Sequence, residues 1–244
     1  MDAAVYKRVQ ETNVNVTGAR TDIAALSTKV GNKGVRSRLF TSSGTFTVPA
    51  GVTLVYVSAI GGGGGGGGGG STAGGTPNNG NDGSAGAVTS FGALLSVSGG
   101  VPGKKGNYGA SSTGAVGGLA GTVGVSSNAI SGSDAPRASG VNGQLGGTQG
   151  YGGRSGLNWP PYGKGGDGGP GGSGVSVNYA PGSGGGGASS GDFALSIPIT
   201  VTPLATIAIT IGAGGGGVGG VGVVNGVNGS PGNPGVLLVE WYQG

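Results

Sequence analysis

The chain has no cysteine, no histidine and a single methionine among its 244 residues. Without Cys or His it cannot build a zinc finger, a haem ligand pair, a thiolate nucleophile or a Ser-His-Asp triad. Charged residues make up only 8 % of the chain, and its eight acids are scattered, which leaves little for paired-carboxylate catalysis. The expectation is a protein with no catalytic residues, no metal and no cofactor. Large apolar residues are also scarce: Val, Leu, Ile and Phe together are about a fifth of the chain, near the level at which chains stay disordered. Disorder by that route also needs a high net charge, and here the formal charge is only +4. The opening Met1 to Gln10 holds no apolar run that reads as a signal-peptide core, and no window of eighteen apolar residues occurs that is not mostly glycine. The expectation is a chain that folds in a cytoplasm and is not exported by a signal peptide.

What the chain has instead is glycine, 67 residues of it, roughly four times the ordinary ~7 %. Charge is unevenly placed. Residues 1–40 carry seven basic residues (Lys7, Arg8, Arg20, Lys29, Lys33, Arg36, Arg38) against three acids, and the remainder is neutral. The pI near 9.5 therefore describes the N-terminal segment. The body has no basic stripe that would release counterions from a nucleic acid, so no nucleic-acid partner is expected.

The N-terminal segment has a heptad. Val5, Val9, Thr12, Val16, Ala19, Ile23, Leu26 and Val30 are spaced alternately by four and three residues, the pattern of a coiled-coil seam. Val9, Val16, Ile23 and Val30 occupy one core position, with Leu26 in the other. Gly31 to Gly34 ends the pattern. An isolated helix of this composition is marginal, so the spacing points to association, as a dimer or a trimer, against the alternative of one amphipathic helix packed on its own domain. A homotrimeric stalk is expected over 1–33, followed by a linker over 34–44.

Residues 45–244 form a glycine-rich head with two textures. Short runs at Thr45–Val48, Leu54–Ile60, Leu94–Val97, Phe193–Ile211 and Val236–Trp241 read as strands, several with period-two alternation of β-branched residues. Between them lie glycine runs, the longest being Gly61 to Gly70. Such runs are flexible linkers or extended left-handed helices with three residues per turn, whose amides pair with neighbouring helices. The runs follow strands directly and lie inside the head, which favours packed helices with a core of main chain. The expected fold is mainly β and polyglycine-II-like: a small β-structure with a bundle of glycine-rich left-handed helices, preceded by the coiled coil.

Large side chains are rare in the middle of the head. Tyr151, Arg154, Trp159, Tyr162 and Lys164 cluster within fourteen residues around Pro160-Pro161. Aromatic faces stack on sugars and anchor interfaces, so these are candidate receptor-binding residues. The alternative is that Trp159 caps the bundle. Lys104, Lys105 and Tyr108 form a second candidate group, with cations suited to acidic sugars or phosphates. Asp134 to Arg137 and Asn178-Tyr179 are minor candidates. Gly-x-Gly matches carry no weight in a chain this rich in glycine, because no βαβ unit surrounds them.

The pattern Phe46-Thr47-Val48-Pro49-Ala50-Gly51-Val52, the strand from Leu54 to Ile60 and the glycine run after it resemble the glycine-rich domain of bacteriophage tail fibres and tail proteins. Ile207 to Gly215 and the ending from Pro231 to Trp241 look like further elements of the same domain. More loosely, the head is similar to the polyglycine-sandwich adhesins at long tail-fibre tips of T-even-like phages. The resemblance covers about residues 41–244. It implies a virion tail protein, a receptor-binding adhesin that recognises a bacterial surface polysaccharide or outer-membrane protein. The N-terminal heptad departs from that resemblance, since those tip adhesins attach differently, and attachment to other tail proteins is expected through this basic N-terminus. The second reading is a structural tail part, a spacer or collar, that binds no receptor.

Overall fold

A computed structural model describes residues 16, 19–22, 34–70, 78–107, 161–170, 184–217 and 227–243. Among the described residues the head is mainly β, with eight strands in two antiparallel sheets. The first sheet has the order β1-β8-β3-β6, from Gly34–Phe40, Val236–Gln243, Leu54–Ile60 and Phe193–Thr200. The second has the order β2-β7-β4-β5, from Gly44–Thr47, Thr206–Thr210, Thr89–Phe91 and Leu95–Val97. Alternation decides which face is buried. Val55, Val57, Ala59, Leu237 and Val239 of the first sheet meet Phe46, Phe91, Val97 and Ile209 of the second in one apolar core. Phe46 is its hub, with ring centroids 5.4 Å from Trp241, 6.0 Å from Phe91 and 6.5 Å from Phe40.

The residues expected to be a linker, 34–44, are a correction. Gly34–Phe40 pairs along its length with β8, from Gly34 beside Gln243 to Phe40 beside Leu237. Its alternation was obscured because Arg36 and Arg38 occupy the core-facing positions opposite Trp241 and Val239. Arg38 is exposed and lies 4.7 Å over the Phe40 ring. An inward-pointing charge on an edge strand also discourages further strand pairing.

Beyond the sheets lies a second structure made almost entirely of main chain. Residues 61–70 are neither helix nor strand, yet every one is buried. Their hydrogen bonds repeat every third residue. The N–H groups of Gly61, Gly64 and Gly67 donate to Asp192, Ser189 and Gly186; those of Gly62, Gly65 and Gly68 to Ala87, Ser84 and Asn81; those of Gly63, Gly66 and Gly69 to Asn233, Ser230 and Val227. All three partner segments run antiparallel to the central one. In return, the carbonyls of Gly62, Gly65 and Gly68 accept from Gly100, Gly103 and Gly106, those of Gly64 and Gly67 from Gly166 and Gly169, and that of Gly63 from Gly215. These three segments run parallel to it.

Six segments thus surround a seventh, and the ring closes on itself. Gly83 donates to Gly103, Ser189 to Val101, Ala188 to Gly166, Ser230 to Asp167, Gly232 to Gly215 and Ser84 to Gly216. Serine hydroxyls on the three antiparallel segments take a further amide each: Ser84 from Gly216, Ser189 from Val101 and Ser230 from Asp167, all at 2.7–2.8 Å. The sheets set this geometry. Residue 61 follows β3, 98 follows β5 and 211 follows β7, while 88, 192 and 235 lead into β4, β6 and β8. Outgoing strands become the central and two parallel segments, and incoming strands become the antiparallel ones.

Packing at this range demands glycine. A Cβ on Gly65 would lie 2.1 Å from the Gly216 carbonyl oxygen, and a Cβ on Gly66 2.0 Å from that of Asp167. A Cβ on Gly216 would meet only the Ser84 hydroxyl, at 3.3 Å. Gly65→Ala is therefore expected to cost about 3 kcal/mol or more, and Gly216→Ala about 1 kcal/mol or less. Urea unfolding of the two variants beside the wild type checks this, and equal losses would contradict the packing.

Candidate functional site

The register of the hydrogen bonds gives the head a direction. At the seam with the sheets, Gly61 is level with Asp192, and Asp192 with Ser98. At the opposite end, Gly67 to Gly69 are level with Asn81, Gly106, Gly169, Gly186 and Val227. This distal end is where the chain leaves 70 and returns at 78, leaves 170 and returns at 184, and leaves 217 and returns at 227. It also leaves 107 there, and it returns at 161 beside the seam. The N-terminal side of β1 lies at the other pole: Gly34 pairs with Gln243, whereas Val236, at the start of β8, pairs with Ile60 at the seam.

The distal end carries the second candidate group. Lys104 forms an ion pair with Asp82 at 2.8 Å, and the backbone N–H of Lys105 donates to the other Asp82 oxygen at 2.9 Å. The Lys105 side chain projects into solvent. Partial burial by itself raises the Asp82 pKa. The hydrogen bonds from Lys104 and Lys105 and the charges of both lysines outweigh it and hold the carboxyl below its ordinary value. A carboxyl depressed in this way stabilises the fold above its unfolded pKa of about 4 and loses that contribution as the pH falls through the lower folded value. The pair is exposed, so its main effect is to fix the backbone that presents Lys105.

Of the first candidate group, Tyr151, Arg154 and Trp159 lie outside the described residues, as do Tyr108, Asp134 to Arg137 and Asn178-Tyr179. Tyr162 and Lys164 are described, and both sit near the seam. Tyr162 packs against a small cluster of Ile60, Phe193 and Val236. Gly163 follows with φ +66, and a Cβ there would lie 2.3 Å from Ile60 Cγ2. The Asn233 side-chain amide donates to the Pro161 carbonyl, and the Gly163 N–H donates to Pro234. Tyr162 therefore anchors the segment 161–170, which among the described residues neither follows nor leads into a strand. Lys164 lies 3.7 Å from Asp167. Of the heptad positions, Val16 and Ala19 are helical and exposed; Val9, Ile23, Leu26 and Val30 lie outside the described residues.

Among the described residues, no three His, Cys, Asp or Glu side chains converge, and no helix is long and apolar enough to cross a membrane. No protein-family model matches the chain, and no curated protein sequence is similar to it.

The Asp82 carboxyl is expected to titrate by NMR with a midpoint below the usual 3.8, and Lys104→Met is expected to raise that midpoint. A midpoint at or above 3.8 that ignores the substitution would contradict the proposed electrostatics.

Proposed function

We propose that this chain is a phage tail-fibre or tail-tip receptor-binding protein. In this reading, residues 5–30 associate as a coiled-coil stalk that joins the rest of the tail, and the head presents its binding surface at the distal end of the bundle. The chain performs no catalysis. Its ligand is a bacterial cell-surface polysaccharide or outer-membrane protein.

The observation that carries the reading is polarity. The N-terminal side of β1 is at one pole, and the attachment points of segments 71–77, 171–183 and 218–226 are at the other, with one end of 108–160 beside them. Recognition residues cluster on segments that a rigid scaffold holds out. The period-three hydrogen bonding supports reading the scaffold as a polyglycine-II bundle, in which each turn of three residues rises about 9 Å. Side chains play little part inside such a bundle, so the sequence of the segments between its attachment points can vary without disturbing it. Tyr151 and Trp159 fall within 108–160 and remain the aromatic candidates; Lys105 is the cationic one. Tyr162 belongs to the scaffold, because its ring packs at the seam.

The test is binding of the full chain, fused to a fluorescent protein, across a panel of bacterial strains. Strain-selective binding is expected. A Tyr151→Ala, Trp159→Ala double variant is expected to lose it at least tenfold while keeping the thermal midpoint of the wild type. A folded protein that binds no strain in a broad panel would overturn the adhesin reading and favour a structural tail part.

A further inference from the structure

The first sheet has one face on the core; on its other face Tyr162 covers Ile60, Phe193 and Val236 at the seam, and among the described residues the rest of that face is open. Its outward rows can be read from the register. Val35 of β1 pairs with Tyr242 of β8, and Leu39 pairs with Leu238. On β3, Leu54 precedes Val55, the partner of Trp241, so it is next to Tyr242; Tyr56 is opposite Glu240. Six large apolar side chains of this sheet are solvent-exposed: Val35 at 67 %, Tyr242 at 66 %, Leu39, Tyr56, Leu54 and Leu195. Scattered exposed hydrophobes need no explanation, but a contiguous apolar sheet face on a soluble head marks an interaction surface.

We infer that this face turns towards the axis of the oligomer and meets the same face of the other copies of the chain, so that associated heads touch through β1, β8 and β3. This rests on the oligomeric stalk of the proposed function and names the head surface that the stalk brings together. Three observations favour a second copy. The heptad ends at Val30, and four residues of chain reach at most about 14 Å. Stalk helices in contact therefore hold the Gly34 ends of their heads close together, and the Val35–Tyr242–Leu54 row lies at that end. The face is also nearly uncharged. Arg36 and Arg38 are at positions on its other side, opposite Trp241 and Val239, and among the described residues of this sheet Glu240 is the carboxylate on it. Such a surface suits self-association and has nothing to attract a charged partner or anionic lipid. Finally, the described part of the N-terminal segment does not cover the face: Val16 and Ala19 to Asp22 are themselves exposed.

The chain has no cysteine, so a single introduced thiol reports on its own site. Tyr242→Cys probes the face, and Leu94→Cys, exposed at 52 % on a turn of the second sheet, is the reference. Each full-length variant is examined by light scattering, by its rate of reaction with a maleimide and by cross-linking with a short bis-maleimide. The expected result is an oligomer in which the Tyr242→Cys thiol reacts at least tenfold more slowly than the reference and yields interchain cross-links. A monomer would overturn both the inference and the stalk. An oligomer whose two thiols react equally fast would overturn the inference alone. A protected thiol without interchain cross-links would overturn it in favour of the chain's own N-terminal segment as the cover. If Tyr242→Cys fails to fold, Val35→Cys in the same row serves the same comparison.

Discussion

Everything beyond the sheets depends on how closely seven backbones approach one another around residues 61–69. A carbonyl oxygen of a parallel neighbour occupies the space where the Cβ of each central residue from Gly62 to Gly67 would stand. That approach lets every central amide from Gly61 to Gly69 find a carbonyl on a surrounding segment. Glycine loses more conformational freedom on folding than any other residue, and a lone glycine run stays flexible. Here the cost is met because every N–H from Gly61 to Gly69 and six of the nine carbonyls are paired with surrounding segments, which also pair around the ring. The sheets make this possible by delivering six of the seven segments already aligned and alternating in direction.

The sequence made one half of this architecture readable and hid the other. Strands at Leu54–Ile60, Phe193–Thr200 and Val236–Gln243 were legible because Val, Ile and Leu alternate or run together there. The strand Gly34–Phe40 was not, since arginines stand where a core face requires apolar residues. Nor was Thr89–Phe91, which is too short to show a period. Within the bundle, the ten-glycine run was conspicuous, but its partners were not. Their signal is a local glycine repeat of three: Gly80, Gly83 and Gly86; Gly100, Gly103 and Gly106; Gly163, Gly166 and Gly169; Gly229, Gly232 and Gly235. Ten of these twelve glycines face a neighbouring main-chain carbonyl; a Cβ on Gly163 would meet the Ile60 side chain, and the Gly106 N–H donates to Gly68. A search for one long Gly-X-Y array passes over such sets, because each spans only two turns before a strand or a connection interrupts it.

The candidate site was legible only in part. Lys104 and Lys105 are at the distal end, where exposure and the Asp82 pair make sense of them. Tyr162 looked equivalent to Tyr151 and Trp159 in the sequence, yet its ring is a scaffold element at the seam. Proximity along the chain could not separate these roles, since the connection from 107 to 161 begins at the distal end and finishes at the seam. The polarity that supports receptor binding is likewise a property of register: β1 pairs with the end of β8, and every antiparallel bundle segment leads back to a strand. Two kinds of core then divide the work. Phe46 and its neighbours hold the sheets through side chains, and the bundle is held by main chain.

Residues 61–69 are the interior of a hydrogen-bonded bundle. Hydrogen exchange of their amides, followed residue by residue by NMR, measures this. These glycines are expected to exchange as slowly as Val55 and Val57 in the sheet, with opening free energies approaching that of global unfolding. Exchange at the rate of an unstructured glycine linker would contradict it.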